Sequence, residues 1–506
     1  MYNLLMALIK RYLNEILLSL GLLGAYLFTR LYNIMFLPMF TDEAIYTRWS
    51  QIARYDASWR FISLTDGKQP SFVWFDMILM RFVNDPLLAG RLVSVLAGIV
   101  SLIGIYFLAS EIFKSKRIGY LAAALYIIFP FALVYDRMAL YESLVSAATI
   151  WALYLEVLLI RLRRLDVALI LGMVMGFGVL TKSSAFFAVY LLPFSLLLFD
   201  FKQKNWRRQI VKWAALAGLS SAMAFGFYSM LRLSPFFHII AEKTTLFVYP
   251  VKDWLSHPFE FFMGNLNGIT DWFIAYTTIP FFLLILISFF LGGKKNIREN
   301  FFLLSWFIIP FVLLALFGRV LYPRFVLFMT MPLLVLAAFS LNSIMDSVKN
   351  KLLAAGIIFA SLILLIRSDF YILTDFARAP IAKADTDQFM NEWPAGGGVR
   401  EIVAFAREES KKGKIYVATQ GTFGSLPTYA MEIYLDENKN IEKRGIWPLP
   451  EDIPEDLVKR AKTMPVYLVL NDSAEPPAGY PVRLIQKFRK GIGGAFMSLY
   501  EVIPNN

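Results

Sequence analysis

Two adjacent carboxylates, Asp42 and Glu43, follow the first apolar run of the sequence directly, and a Gly67-Lys68-Gln69-Pro70 turn comes shortly after them. Farther along, Arg137 and Glu142 occupy a tight polar turn between two apolar runs, Thr181-Lys182 interrupts another, and Tyr322-Pro323-Arg324 opens a late one. Taken singly, each has an ordinary explanation. Acidic residues suit the first turn of a helix, where the dipole favours negative charge, and a lysine beside an apolar helix commonly snorkels. Together they are carboxylates able to take a proton and cations able to hold an anion, all at the ends of hydrophobic runs. Arg91, near the start of an apolar run, reads by contrast as a snorkelling anchor.

The elements that must carry these groups follow from periodicity. Thr41 is a good N-cap. Ile45, Trp49 and Ile52 recur at helical spacing while Arg48, Gln51 and Arg54 lie elsewhere, which predicts a helix lying on a membrane surface. Pro70 suits the first turn of a second interfacial helix, residues 71–82, which carries Asp76 and is too short to span a bilayer. At ~20 apolar residues per crossing, spans are expected near residues 13–31, 88–109, 118–135, 141–160, 210–231, 272–291, 300–317, 323–343 and 352–367. The run 167–199 fits two short crossings broken at Thr181-Lys182-Ser183. A single crossing there would put the basic segment 202–208 outside and reverse every later loop. The expected count is about eleven spans, with the N-terminus cytoplasmic and the C-terminal part outside.

Composition agrees with a membrane setting. The 506 residues are 58% hydrophobic and 16% aromatic, with a mean hydropathy of +0.57, too apolar for a soluble protein of this length. A net charge of +12 could suggest nucleic acid. Its basic clusters, 114–117, 161–164, 202–208 and 294–298, fall instead in short gaps between apolar runs, the positive-inside pattern of a multi-spanning protein, and no nucleic-acid partner is expected. Cysteine is absent, which excludes disulfides, thiol nucleophiles and cysteine-based metal sites. No small-residue cleavage site follows the first span, so it reads as an uncleaved anchor. His238 and His257 lie far apart in a long aromatic-rich external loop and give poor support for a metal site.

From residue 369 the composition becomes that of a soluble domain. Helices are expected at 402–411, 426–435 and 457–462 and strands at 414–418, 466–470, 482–488 and 496–502, a small α/β layer. The TQGTFG loop at Thr419 lies between a strand and a helix and could hold a phosphate, although such turns are more often purely structural. The fold class is therefore an α-helical polytopic membrane protein with interfacial helices in its first external loop and a small C-terminal α/β domain. The domains are expected at 1–368 and 369–506.

The Asp42-Glu43 pair after the first span and the Gly67-Lys68-Gln69-Pro70 turn before the second resemble the GT-C glycosyltransferases. Within them, the resemblance is to the protein O-mannosyltransferase and lipid A aminoarabinose transferase branch. It continues through Arg137 and an acidic residue after the third span, Thr181-Lys182 at the five–six junction and Arg324 at the start of a late span, to about residue 345. Glu142 departs from the pattern, since Asp is more usual there. These enzymes take a sugar from a polyprenyl-phosphate carrier and attach it to an acceptor outside the cytoplasmic membrane. The resemblance implies an inverting transfer to a protein, glycolipid or surface polysaccharide. It makes Asp42 the base, with Glu43 and Glu142 orienting acceptor or sugar, and gives Lys68, Lys182, Arg324 and Arg137 to the donor phosphate. It fixes no cofactor: a divalent cation such as Mg or Mn would suit the carboxylates, and some superfamily members use one whereas the O-mannosyltransferases do not.

The rival class is a transporter or a lipid-linked sugar flippase. Such proteins usually carry internal repeats and charges near the middle of spans, whereas here no clear repeat is found and the charges stand at span ends. A receptor or scaffold would explain the spans but not the clustered acids and bases.

Overall fold

The computed structural model describes residues 2–291, 296–422, 424–471 and 475–504, so Lys294 and Lys295 of the fourth basic cluster and Phe423 of the TQGTFG loop lie outside the described residues. The chain opens with α1 (Tyr2–Leu31), the two short helices α2 (Thr41–Tyr55) and α3 (Ser71–Leu79), and α4 (Pro86–Phe113). It continues through α5 (Lys116–Ile127), α6 (Pro130–Tyr135), α7 (Glu142–Leu162), α8 (Leu165–Thr181), α9 (Phe187–Leu191) and α10 (Trp206–Ser229). Two short helices, α11 (Ile239–Phe247) and α12 (Val251–Ser256), precede α13 (Phe262–Thr277), α14 (Ile279–Leu291), α15 (Ile297–Phe317), α16 (Leu327–Ser347) and α17 (Lys351–Thr374).

Seven helices among the described residues are long and apolar enough to cross a membrane: Tyr12–Leu31, Pro86–Phe113, Glu142–Leu162, Trp206–Leu233, Ile297–Phe317, Leu327–Ser347 and Lys351–Thr374. α13 and α14 form a further apolar run, bent by 95° where Thr278 takes φ +59°. The remaining apolar runs among the described residues, which the expected count of about eleven also includes, give shorter or broken helices. α5 ends just before Pro130, and 167–199 breaks where Lys182 becomes extended at φ −160° and ψ 147°. α16 and α7 are the inner pillars, with 89% and 83% of their apolar windows buried. α4 leaves Leu96, Val100, Ile103 and Phe107 exposed along one face, the stripe a lipid-facing helix presents.

The C-terminal part begins with α18 (Lys383–Thr386) and α19 (Val399–Lys412), followed by β1 (Ile415–Gln420), α20 (Leu426–Leu435), β2 (Ile441–Ile446), α21 (Glu455–Ala461), β3 (Val466–Asn471), β4 (Val482–Arg489) and β5 (Phe496–Val502). The sheet order is β2-β1-β3-β5-β4. The first three strands are parallel, and β5 and β4 are added antiparallel. Strand β2 was not expected, because only Ile441 and Ile446 of its IEKRGI face inward and it lies at the sheet edge.

This domain holds α2. The Thr41 N–H and hydroxyl both donate to Pro394 O, Phe40 bridges to Ala395, and Gln51 Nε2 donates to Ile433 O. Arg48 pairs with Glu432 and Asp436 at the end of α20. This helix is packed between α20 and the pair α3 and α4, and Trp49 is completely buried.

Candidate active site

Phe40, rather than Thr41, is the N-cap of α2. The Glu43 carboxylate reaches back to the Phe40 N–H at 3.0 Å, and Thr41 spends its hydroxyl on Pro394. Asp42, in that first turn, meets Arg324 at 2.7 Å, and Glu142, at the start of α7, meets Lys182 at 2.6 Å. Arg324 belongs to a short turn, Pro323–Phe325, that leads into α16. Its guanidinium lies over the rings of Tyr322 and Phe40, at 4.7 and 5.7 Å. Lys182 stands where α8 stops, with its ammonium 4.7 Å from the centre of the Phe325 ring.

Lys68 is delivered by its turn. Gly67 has φ +66°, and a Cβ there would come within 2.9 Å of Ile239 O, so the position requires glycine. Gln69 Nε2 donates to Ser183 Oγ at 2.7 Å, which ties the Lys68 turn to the helix break that holds Lys182. The start of α7, the end of α8 and the turn before α16 are thereby brought together with the start of α2.

The cluster is electrostatically tight. Burial alone would raise the Asp42 carboxyl, but Arg324 foremost, then Lys68 and Lys182, hold it below its ordinary value. Burial lowers Lys68, helped by the like charges of Arg324 and Lys182 and opposed by Asp42. Burial would lower Arg324, and the carboxylates of Asp42 and Glu142 more than reverse that. The Asp42 and Lys182 side chains keep 21% and 28% exposure, so the cluster remains open to a ligand.

Five of the seven sequence-derived site residues meet here: Asp42, Glu142, Lys68, Lys182 and Arg324. Glu43 and Arg137 do not. Glu43 is fully buried. It accepts two N–H bonds from Arg91, at 2.9 and 2.8 Å, one from Phe40 and one from Ala139, so no lone pair is left for an acceptor or sugar. Arg137 donates to the carbonyls of Thr29, Arg30, Tyr32 and Asn33 and caps the end of α1, which uses the guanidinium expected on the phosphate. Arg91 is corrected in the other direction: the expected anchor is 0% exposed and is the partner of Glu43.

Sequence reasoning missed Tyr46, whose hydroxyl donates to Asp42 at 3.4 Å and which the one-turn spacing within α2 could have suggested. It also missed Asp385, discussed below. The TQGTFG loop is closed on itself, with Thr428 Oγ1 donating to Gly421 O at 2.8 Å, and Gly424 lies against Ile45 of α2. His238 and His257 are surface residues, the first bonded to Pro235 O and the second paired with Glu260. Asp42 and Glu142 each already face a cation, and no group of three or more metal-ligating side chains gathers among the described residues. The cluster fits an anion better than a divalent cation.

Residues 68–228, which contain Lys68, Glu142 and Lys182, match the family model of dolichyl-phosphate-mannose-protein mannosyltransferases. An undecaprenyl phosphate-alpha-4-amino-4-deoxy-L-arabinose arabinosyl transferase of Pseudomonas savastanoi pv. phaseolicola is 24% identical over 373 residues. That match spans 70% of this chain and 66% of the relative. ArnT from Cupriavidus metallidurans bound to undecaprenyl phosphate superposes with a TM-score of 0.57 at 13% identity, covering 97% of this chain and 98% of that one. This is a GT-C fold. The oligosaccharyltransferase of Archaeoglobus fulgidus, tethered to an acceptor peptide, shares it with a TM-score of 0.51 at 14% identity over 92% of this chain and 69% of that one. With its apolar helices and this GT-C architecture, the chain is a multi-pass membrane protein.

Proposed function

We propose that the protein transfers a sugar from a polyprenyl-phosphate-linked donor to a hydroxyl of a protein, glycolipid or polysaccharide acceptor, on the outer face of the cytoplasmic membrane. The observation that carries this reading is the Asp42–Arg324 pair flanked by Lys68, Lys182 and Glu142 at the ends of the spans. The mannosyltransferase family and the arabinosyl transferase relative are both named for a sugar carried on a polyprenyl phosphate, which supports the donor class.

The geometry suggests how the step runs. A donor phosphate among Lys68, Lys182 and Arg324 competes with Asp42 for the guanidinium fork, which suits phosphate oxygens. As Arg324 turns to the phosphate, Asp42 loses its main counter-charge and becomes more basic. It then takes the acceptor proton. The acceptor oxygen bonds to the anomeric carbon from the face opposite the phosphate, the carbon–oxygen bond to phosphate breaks, and the electron pair leaves with the polyprenyl phosphate. The anomeric centre is inverted without a covalent sugar–enzyme intermediate. Glu142, steadied by Lys182, orients acceptor or sugar.

The test uses the purified full chain in liposomes holding labelled polyprenyl-phosphate sugars, with acceptor supplied as cell-envelope extract. Label should move to the acceptor with wild type and not with Asp42→Asn. Movement of intact donor across the bilayer without transfer would mean a flippase.

A further inference from the structure

Asp385 lies in α18, in the segment leaving the last membrane helix, and is 1% exposed. Its Oδ2 accepts the hydroxyl of Tyr135, at the end of α6, at 2.7 Å, and the hydroxyl of Tyr276, close to the α13–α14 bend. Just beyond it, the Phe389 ring meets Tyr135 at 6.1 Å and Phe40 at 4.9 Å, and Phe40 is one of the two rings under Arg324. The rings of Tyr135, Phe389 and Phe40 thus link the buried Asp385 to Arg324. Burial raises its carboxyl to about 6. The hydrogen bonds from Tyr276 and Tyr135 and the charge of Arg324 pull it down, while Glu142 pushes it up.

Charge counting gives this acid a role. Lys68, Lys182 and Arg324 oppose Asp42 and Glu142, which leaves one positive charge over. A polyprenyl-phosphate sugar is a phosphodiester with a single negative charge. The polyprenyl phosphate left after transfer is a monoester that gains a second charge with a pKa of about 6. A site made only of those five groups would hold its product more tightly than its donor. An additional carboxylate acts in the opposite sense, because repulsion grows with the charge on the phosphate.

We propose that Asp385 is a positioning residue acting through Arg324, whose negative charge weakens the hold on the polyprenyl monophosphate product so that it leaves the site. This rests on the donor class proposed above.

The experiment measures binding of undecaprenyl phosphate to the full chain in nanodiscs, from about pH 5 to about pH 8, in wild type, Asp385→Asn and Tyr276→Phe. Ionisation of the phosphate itself is common to all three, so the ratio of wild-type to variant Kd isolates the protein group. For Asp385→Asn the ratio should be near one at about pH 5, where Asp385 is already neutral, and rise to about tenfold tighter binding by the variant at about pH 8. Tyr276→Phe removes a donor that favours the ionised carboxylate. It should bind more tightly than wild type at about pH 6–7 and equal it at both ends of the range. It decides the matter alone if Asp385→Asn does not fold. Ratios of one at every pH, or equal tightening at both ends, overturn the inference. Absence of binding by wild type overturns the donor class and the inference with it.

Discussion

Asp42 and Glu43 are neighbours in one helical turn, and each faces an arginine, yet the two pairs differ in kind. Glu43 and Arg91 are both fully buried, and Glu43 takes four N–H bonds that tie α2 to α4 and to the turn before α7. Asp42 and Arg324 keep some exposure and stand beside two lysines, Lys68 and Lys182, whose charges also act on Asp42. The first pair is closed: every lone pair is used, and any change costs stability. The second is open to exchange, because a phosphate can take the place of the carboxylate at Arg324. A saturated ion pair fixes a helix, and the unsaturated one next to it is left for chemistry.

The sharpest way to break this contrast is to neutralise each acid. Asp42→Asn should lower turnover at least ~100-fold, the low end of what a positioned base supplies, while the melting temperature in detergent falls far less than for Glu43→Ala. Near-normal transfer would remove Asp42 as the base. Glu43→Ala should do the reverse, since breaking a buried pair costs about 3–5 kcal/mol. The yield of folded protein should collapse, while turnover per folded molecule stays within a few-fold of wild type. Lys68→Ala and Lys182→Ala should raise the donor KM by about tenfold each through lost charge-assisted contacts, with Lys→Arg rescuing only in part.

The pH dependence sharpens the same contrast. The Asp42 carboxyl lies below its ordinary value in the free protein, so the stability of its ion pair is present above the usual ~3.9 and lost as pH falls through the lowered value. The acid limb of kcat/KM, which reports the free enzyme, should therefore fall below that of kcat, which reports the donor complex after Arg324 has turned away. Coincident limbs would count against the exchange. The smallest effect belongs to Arg137→Gln, which removes the cap of α1. About 1 kcal/mol of stability should go, with donor KM unchanged; a raised KM would return Arg137 to the phosphate.

Much of this was legible in the sequence. The α/β domain could be read because alternation and helical periodicity switch cleanly there, and the five residues that cluster because charge is so costly at the end of a span that its presence calls for a reason. Glu43 and Arg137 were misassigned because composition cannot distinguish a charge aimed at a ligand from one aimed at backbone. The carbonyls that Arg137 caps lie at and just beyond the end of α1, more than a hundred residues earlier in the chain. Asp385 was invisible for a related reason: its partners, Tyr135 and Tyr276, are phenols with no distinctive spacing, brought to it from two other helices.

The contact between Thr41 and Pro394 joins residues separated by 353 positions, and the helix bearing Asp42 packs against α20, which is later still. A ribosome adds roughly 5–20 residues per second, so the membrane helices are inserted well before the last wall of the site has been made. Until then α2 lacks the partners of Phe40, Arg48 and Gln51. The packing of α2 is therefore completed only once residues 394–435 have been made.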